Sequence, residues 1–292
     1  MAQATEARAR ICMAHGWPEE AVELVPVIAS GDKIQDRPLA EIGGKALWTR
    51  ELDAYLMDGR IDGAVHSMKD VETQRPDDLA IAAILPRADR RDVLIGARTI
   101  AGIPQGASLG TSAPRRAAQM RYLRPDLKVV LFRGNVATRL AKLAAGDADV
   151  TLLAKAGLDR LGEEGVGTPL GLDEFLPAPA QGAIGIECRA GDTRMRDVLT
   201  AIDHGPSHAE IVAERALLAH LGGNCQSPVA LDCRWQNSGR LALRVSLFSP
   251  DGTVRVDGER LLEKGDLAAV ADCAEDLLDR AAPAIQAVFR GG

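Results

Sequence analysis

The chain has 292 residues, 46% hydrophobic and 26% charged. It is long enough for one large domain or two to three ordinary ones with real cores, which excludes disorder and a coiled coil as its organising principle. The formal charge of −6 argues against bulk binding to nucleic acid or an anionic membrane, yet it leaves room for a local basic cleft. The longest strand-like apolar run, Val129 to Phe132, falls far below the roughly 20 residues that span a bilayer, and the polar, arginine-bearing N-terminus gives no sign of a secretory signal. Five cysteines are an odd number, widely spread and without a C-x-x-C pair, so they fit neither a disulfide framework nor a zinc knuckle. A reducing, cytoplasmic setting is expected.

In chain order, Thr5 to His15 has helical composition and stops at Gly16, Trp17 and Pro18. An extended run, Val22 to Ile28, ends near Ser30, Gly31 and Asp32. After the Gly43–Gly44 break, Lys45 to Met57 reads as an amphipathic helix. A short strand, Ile61 to Val65, leads into the polar run His66, Ser67, Met68, Lys69 and Asp70. Two apolar stretches between Ala80 and Ile95 flank Pro86 to Arg91, the expected crossing between two lobes.

A second β/α series follows: Ser108 and Leu109 into Gly110 to Arg116, a strand from Lys128 to Phe132, a helix from Val136 to Ala145, and a strand from Val150 to Leu153. Short strands alternating with helices predict parallel sheets of the βαβ kind, with ligands where the carboxyl ends of strands meet loops. Composition changes at Pro177 to Gly182, and Ala183 to Cys188 reads as a strand. The last part predicts a helix from Ser207 to His220, a loop from Leu221 to Pro228, strands at Val229–Arg234, Leu241–Phe248 and Thr253–Arg260, and a helix from Asp266 to Phe289 kinked at Pro283. Alternation in Leu241–Phe248 before a Pro250–Asp251–Gly252 turn is a hairpin signal.

The basic residues are 28 arginines and 7 lysines, and their placement carries more than their number, because a guanidinium fork suits carboxylates and phosphates. Thr111 and Ser112 are expected to cap a helix whose first turn holds Arg115 and Arg116. Arg133 follows a strand directly, and Arg139 lies one turn into the next helix, so all four point to one sheet edge as an anion cradle. Solvated helix faces are the plainer reading of any single one. Asp32 and Asp70 each follow a first-series strand, where a carboxylate at a basic cleft could stabilise a cation or exchange a proton; loop or cap duty is the plainer reading of either. Cys12, Cys188, Cys233 and Cys273 sit in apolar patterns as buried fillers. Cys225 differs, since its Gly222–Gly223 loop leaves a thiol accessible as a nucleophile.

Together these segments resemble the porphobilinogen deaminase (hydroxymethylbilane synthase) family. The resemblance rests on Gly31–Asp32 with Ile42–Gly43–Gly44–Lys45, on Ala64 to Asp70, on Gly110–Thr111–Ser112 with Arg115–Arg116, and on Arg133 to Val136 with Thr138–Arg139–Leu140. Further matches are Ala156–Gly157–Leu158 with Arg160–Leu161, Gln181–Gly182–Ala183 with Gly185–Ile186–Glu187, and Cys225–Gln226 with Pro228. They cover nearly the whole chain in order.

The resemblance implies an α/β fold of three domains, two like the lobes of periplasmic binding proteins with mixed or parallel sheets and a C-terminal α+β domain. Their expected bounds are 1–84 plus about 183–202, 88–178, and 206–292. It implies a transferase that adds four porphobilinogen molecules to a dipyrromethane primer, held by a thioether to Cys225, and releases hydroxymethylbilane for tetrapyrrole (haem) synthesis. Asp70 matches the catalytic carboxylate. Asp32, Lys45, Ser67, Lys69, Thr111, Arg115, Arg116, Arg133, Arg139, Arg160 and Gln181 match positions that bind the cofactor and its carboxylate arms. No metal is implied, nor any nucleic-acid or membrane partner, and the protein is expected to be a monomer.

Three positions depart from the family pattern: Glu41 replaces a lysine, Ala113 a serine and Lys155 a small residue. The family's first strand, with two arginines and a serine, would precede Met1, so an internally assigned start is expected, with an impaired shorter protein as the alternative. A two-lobed anion-binding module without catalysis would explain the arginines, but not Cys225 or the last domain.

Overall fold

The computed structural model describes residues 1–27 and 49–289. Among these residues three sheets form. The first joins β1 (Ala64–Ser67) and β2 (Leu79–Ile84) through a strand from much later in the chain, β8 (Ile184–Arg189), in the order β1-β8-β2. Ile184, Ile186 and Cys188 of β8 are buried against Ala7 and Ile11 of helix α1 (Ala2–His15) and against Leu199 at the end of α6 (Thr193–Thr200). Helix α1 stops where the sequence predicts, at Gly16, whose φ of 65° lets its N–H reach back to the Cys12 carbonyl. Helix α2 (Arg50–Met57) closes the other side through Leu56.

The second sheet has the order β5-β4-β6-β3-β7, from β3 (Asp92–Ile95), β4 (Ser108–Gly110), β5 (Lys128–Val130), β6 (Val150–Ala154) and β7 (Thr168–Pro169). Helices α3 (Pro114–Leu123), α4 (Val136–Ala144) and α5 (Lys155–Asp159) accompany it. Its core gathers Leu94, Leu109, Met120, Val150, Leu152 and Phe175. The third sheet is an antiparallel meander of β9 (Val229–Trp235), β10 (Leu241–Phe248) and β11 (Arg255–Leu262). Alternation in β10 turns Leu241, Leu243 and Val245 inward onto Leu217 of α7 (Gly205–His220) and onto Cys273 and Leu277 of α8 (Leu267–Arg280).

Several expectations are corrected. Residues 22–27 form no strand; Ile28 and the rest of that segment to Trp48, including Asp32, Glu41 and Lys45, lie outside the described residues. Parallel pairing is confined to β4 with β5 and β6, whereas β3 and the whole first sheet pair antiparallel. The cause is the return of the chain: β8 re-enters the first sheet from the second lobe and runs against both neighbours. Pro283 does not kink one helix. It starts a separate helix, α9 (Pro283–Phe289), since proline lacks the N–H that would continue α8.

Two segments, 85–91 and 176–183, pass between the sheets, and buried charge fastens both to α7. Glu214, fully buried, accepts from Arg87 Nη1 (2.7 Å) and Nη2 (3.0 Å), from Ala180 N–H (2.6 Å) and from Cys233 N–H (3.0 Å). Arg90 reaches Glu210 (2.8 Å) and Asp232 (3.0 Å). Gly182 sits where the two segments touch: its φ is 85°, and a Cβ there would lie 2.7 Å from the Ala88 carbonyl oxygen.

Removing one partner of such a cluster strands the other charge in a dry site. Glu214→Ala is expected to cost about 3–5 kcal/mol, read as a lowered denaturant midpoint; a loss below about 1 kcal/mol would show that the cluster contributes little.

Candidate active site

Strand β1 runs into a single 3-10 turn, Met68–Asp70. The turn is fixed from beneath, where Met68 is buried against Ile84, Ala183 and Ile211 and its N–H donates to the Ala183 carbonyl at 3.1 Å. That anchoring leaves Lys69 and Asp70 half-buried beside it. Asp70 pulls the Lys69 ammonium pKa upward, but burial together with the charges of Arg116 and Arg139 outweighs it and holds Lys69 below its usual range. Burial, then Arg116 and Arg133, press Arg139 down to about 10 against the opposing pull of Asp70. Charge on the turn after β1 is therefore close enough to act on charge from the helices of the second sheet.

On the far wall, Thr111 and Ser112 do not cap α3. The N-cap is Ala113, which has no side-chain donor or acceptor, and the Thr111 hydroxyl instead accepts from the Ala113 N–H at 3.2 Å. Arg115 and Arg116 are both buried, and both hold the fully buried Asp92 at the start of β3: Arg115 Nη1 at 2.5 Å, Arg116 Nη2 at 2.6 Å and Nε at 3.1 Å. Burial pushes the Asp92 carboxyl up, and the two guanidiniums more than reverse this, to about 2.

Gln181 completes that group. It donates to Asp92 (3.2 Å) and to the Arg90 carbonyl (2.8 Å) and accepts from Arg115 (3.3 Å). The expected open cradle is thus partly a closed floor: Arg115 and Gln181 brace Asp92, while Arg116 still acts on Lys69 and Arg139. Sequence reading missed Asp92, whose signal is a charged residue opening an otherwise apolar strand.

Arg133 is buried at the corner between β5 and α4. There Gly134 takes φ 116° directly over the Thr138 side chain, and Asn135 caps α4 by accepting from the Thr138 N–H. The same corner carries Arg139, whose Nε donates to the Gly134 carbonyl at 2.9 Å. Arg160, half-buried at the end of α5, donates to the Gly182 carbonyl at 3.1 Å. Lys155 pairs with Asp159 on its own helix, so it neither crowds the cleft nor adds a loose cation to it. Thr111 is buried and Ser67 half-buried beside these groups.

Cys12, Cys188, Cys233 and Cys273 are buried and Cys225 is exposed, as expected. Partial burial of its sulfur pushes the Cys225 thiol up, and the negative charges of Asp70 and Glu72 push it further. The Thr73 hydroxyl, three residues after Asp70, donates to the Gly223 carbonyl at 3.1 Å and so ties the loop that holds this thiol to the segment after Asp70. Among the described residues no cluster of histidine, cysteine, aspartate and glutamate could hold a metal ion. A cavity of about 290 Å³ between α7 and the start of α8, lined by His208, Leu241 and Leu267, contains none of these groups.

Comparison with known proteins gives a family match over two stretches: "Porphobilinogen deaminase, dipyromethane cofactor binding domain" over residues 1–197 and "Porphobilinogen deaminase, C-terminal domain" over residues 208–281. A porphobilinogen deaminase of Sphingopyxis alaskensis is 56% identical over 294 residues, covering 99% of this chain and 93% of that protein. One from Paracoccus denitrificans is 48% identical, covering 96% and 91%. Among solved structures, the VFT2 domain of Bordetella pertussis BvgS is similar at 16% identity and a TM-score of 0.41, covering 68% of this chain and 76% of that one.

The electrostatics of the cysteine give a direct check. Removing the Asp70 charge lowers the thiol's pKa, so at a fixed pH near 7.5 more of it is thiolate, the reactive form. In protein whose Cys225 is unmodified, Asp70→Asn is expected to raise the rate of iodoacetamide alkylation about two- to fivefold. An unchanged or slower rate would place Asp70 too far away to act.

Proposed function

We infer the chemistry from one premise: the chain belongs to the porphobilinogen deaminase family. It is a transferase that deaminates porphobilinogen, joins four molecules to a cysteine-linked dipyrromethane primer and releases hydroxymethylbilane for tetrapyrrole synthesis. A match to the family's C-terminal domain over residues 208–281 leaves the reading as a bare anion-binding module without support. The observation that carries our assignment of residues is that the segment directly after Asp70 is bonded to the loop of Cys225, Thr73 donating to the Gly223 carbonyl at 3.1 Å, while the charges of Arg116 and Arg139 bear on the neighbouring Lys69.

The residues suit the cofactor chemically. A primer with acetate and propionate arms needs an accessible thiol and a surplus of positive charge, and the cleft sets Lys69, Arg115, Arg116, Arg133 and Arg139 against Asp70 and Asp92. Mutual repulsion among Arg116, Arg133 and Arg139 is relieved when carboxylates arrive. When bound, dipyrromethane supplies the pyrrole carbon to which the first substrate is joined and the tether that retains the product chain.

This chain's own residues do the rest in our reading. Cys225 holds the tether. Lys69, Arg116, Arg133 and Arg139 receive carboxylates, with Ser67, Thr111 and Arg160 at the margins, while Arg115 and Gln181 keep Asp92 and hence Arg116 in place. Asp70 is the catalytic residue: its carboxylate accepts from pyrrole N–H groups and stabilises positive charge developing on the substrate ring as ammonia leaves, and the proton it hands to the leaving amine is one it takes from that pyrrole N–H. Asp32 and Lys45 keep the cofactor-binding roles that the family pattern gives them.

We assign residues 1–84 with about 183–202, 88–178 and 206–292 to three domains, two of them lobes around the cleft; the separate cores of the three sheets support the division. Five unpaired cysteines suit a reducing compartment, and we place the enzyme in the cytoplasm as a monomer. No helix among the described residues is long and apolar enough to cross a membrane.

Intact mass tests the assignment. Purified protein is expected to carry a two-pyrrole adduct that Cys225→Ser abolishes; a folded, unmodified wild type would overturn it. Asp70→Ala should keep the adduct and lose about 10²–10⁴-fold in kcat, and near-normal turnover would remove Asp70 from the chemistry.

A further inference from the structure

Asp70 is held upstream by β1 and by the buried Met68. What holds it downstream is a residue of a different part of the fold. Arg215, in the middle of α7, donates to three consecutive carbonyls of the segment that follows Asp70: Val71 at 3.3 Å, Glu72 at 2.6 Å and Thr73 at 3.0 Å. A fourth bond runs the other way, from the Thr73 hydroxyl to the carbonyl of Gly223 at 3.1 Å, two residues before Cys225. Helix α7 itself ends at His220, so one helix and a short turn connect Arg215 to the thiol.

The economy of this contact is unusual. A half-buried guanidinium, pressed below its ordinary range by desolvation and by Arg75, spends its donors on neutral carbonyls. Carbonyl bonds return less for burying a cation than a carboxylate would. What they give instead is geometry, because a planar fork spanning three successive peptides fixes both position and orientation of that stretch. The segment's other side is fixed to the first sheet, where Arg75 binds Glu72 at 2.6 Å and Glu187 at 2.9 Å. Residues 71–75 therefore bridge the Asp70 turn and the cysteine loop.

We propose that Arg215, with Thr73, is a positioning residue that sets the register between Asp70 and Cys225, so that the end of the tethered chain meets the carboxylate. The proposal rests on the assignment of Asp70 and Cys225 made above. Angular or sub-ångström slippage between a catalytic group and its tethered reactant costs rate rather than affinity, up to about 10²-fold for 1 Å.

The test compares wild type, Arg215→Lys, Arg215→Met and Thr73→Val. Hydrogen exchange on protein before cofactor loading reads the clamp itself: amides of 71–75 and 222–226 should exchange faster together in each variant, while those of β9–β11 stay as in wild type. In the loaded enzyme, kcat per adduct-bearing molecule should fall about ten- to a hundredfold in Arg215→Met, with KM within about twofold of wild type. Arg215→Lys should restore part of the loss by keeping one or two of the bonds, and Thr73→Val should show a smaller fall. Intact mass during turnover should show partly extended enzyme accumulating in the variants. Faster exchange across the whole protein, or kcat per loaded molecule within twofold of wild type, would make Arg215 a stabilising contact only and overturn the proposal. Loss of adduct and turnover in wild type would instead strike the underlying assignment, leaving the exchange result to judge the clamp.

Discussion

One buried carboxylate joins both connecting segments and the third sheet. Glu214 has no exposed surface, yet four donors converge on it: both ends of the Arg87 guanidinium from the first connecting segment, the Ala180 N–H from the second, and the Cys233 N–H from the third sheet. Two connections and a separate sheet thus share a single anion. Apolar contact also joins the units, as where Ala118, Leu176, Ala230 and Phe248 meet, but such contact tolerates sliding. Directed bonds to a buried charge do not, since a partner that moves away leaves the charge desolvated and unpaired. Glu214 thus fastens both connecting segments and the third sheet to α7, the helix that leads to the Cys225 loop.

The second organising feature is the division of labour among the arginines. Those with buried carboxylate partners, Arg75, Arg87 and Arg115, build the frame. Others meet like charge on their own wall of the cleft: Arg139 is pressed down to about 10 by burial and by Arg116 and Arg133. Asp92 joins the two sets, since it takes Arg115 into the floor and Arg116 to the edge of the cleft. Its carboxyl is held at about 2 against an ordinary 3.8, so this contribution to stability is present above about pH 4 and fades only as the pH falls towards 2. The floor therefore stays intact through the neutral range.

Much of this was legible in the sequence, and the limits have physical causes. The strand alternation of Leu241–Phe248, the glycine stop after His15 and the exposed setting of Cys225 follow from local chemistry, and the structure agrees with each. Pairing direction was not legible, because β8 lies about a hundred residues from β1 and β2 in the chain and only its arrival fixes the first sheet as antiparallel. Likewise the arginines after Gly110 stand together in the sequence, yet Arg115 and Arg116 share a buried carboxylate that lies far upstream. Asp92, twenty-three residues upstream of Arg115, neutralises part of their charge, and its one local sign, a charge opening an apolar strand, does not say which residues it pairs with.

Arg215 shows the same boundary more sharply. In sequence it is one charged residue in a helical pattern, Glu214 on one side and Ala216 on the other, and nothing distinguishes it from a solvated helix face. In space, successive residues on a helix point about 100° apart, so Glu214 turns to the connecting segments while Arg215 turns to the backbone after Asp70. One turn of α7 thereby fixes the connecting segments with one side chain and the stretch after Asp70 with the next. A shift of that helix would be felt at both places at once, which ties the relation between the lobes to the relation between carboxylate and thiol. Cys225, which we propose as the anchor of the growing chain, lies beyond the end of the same helix, so in that reading the element that carries the anchor also sets where the chemistry occurs.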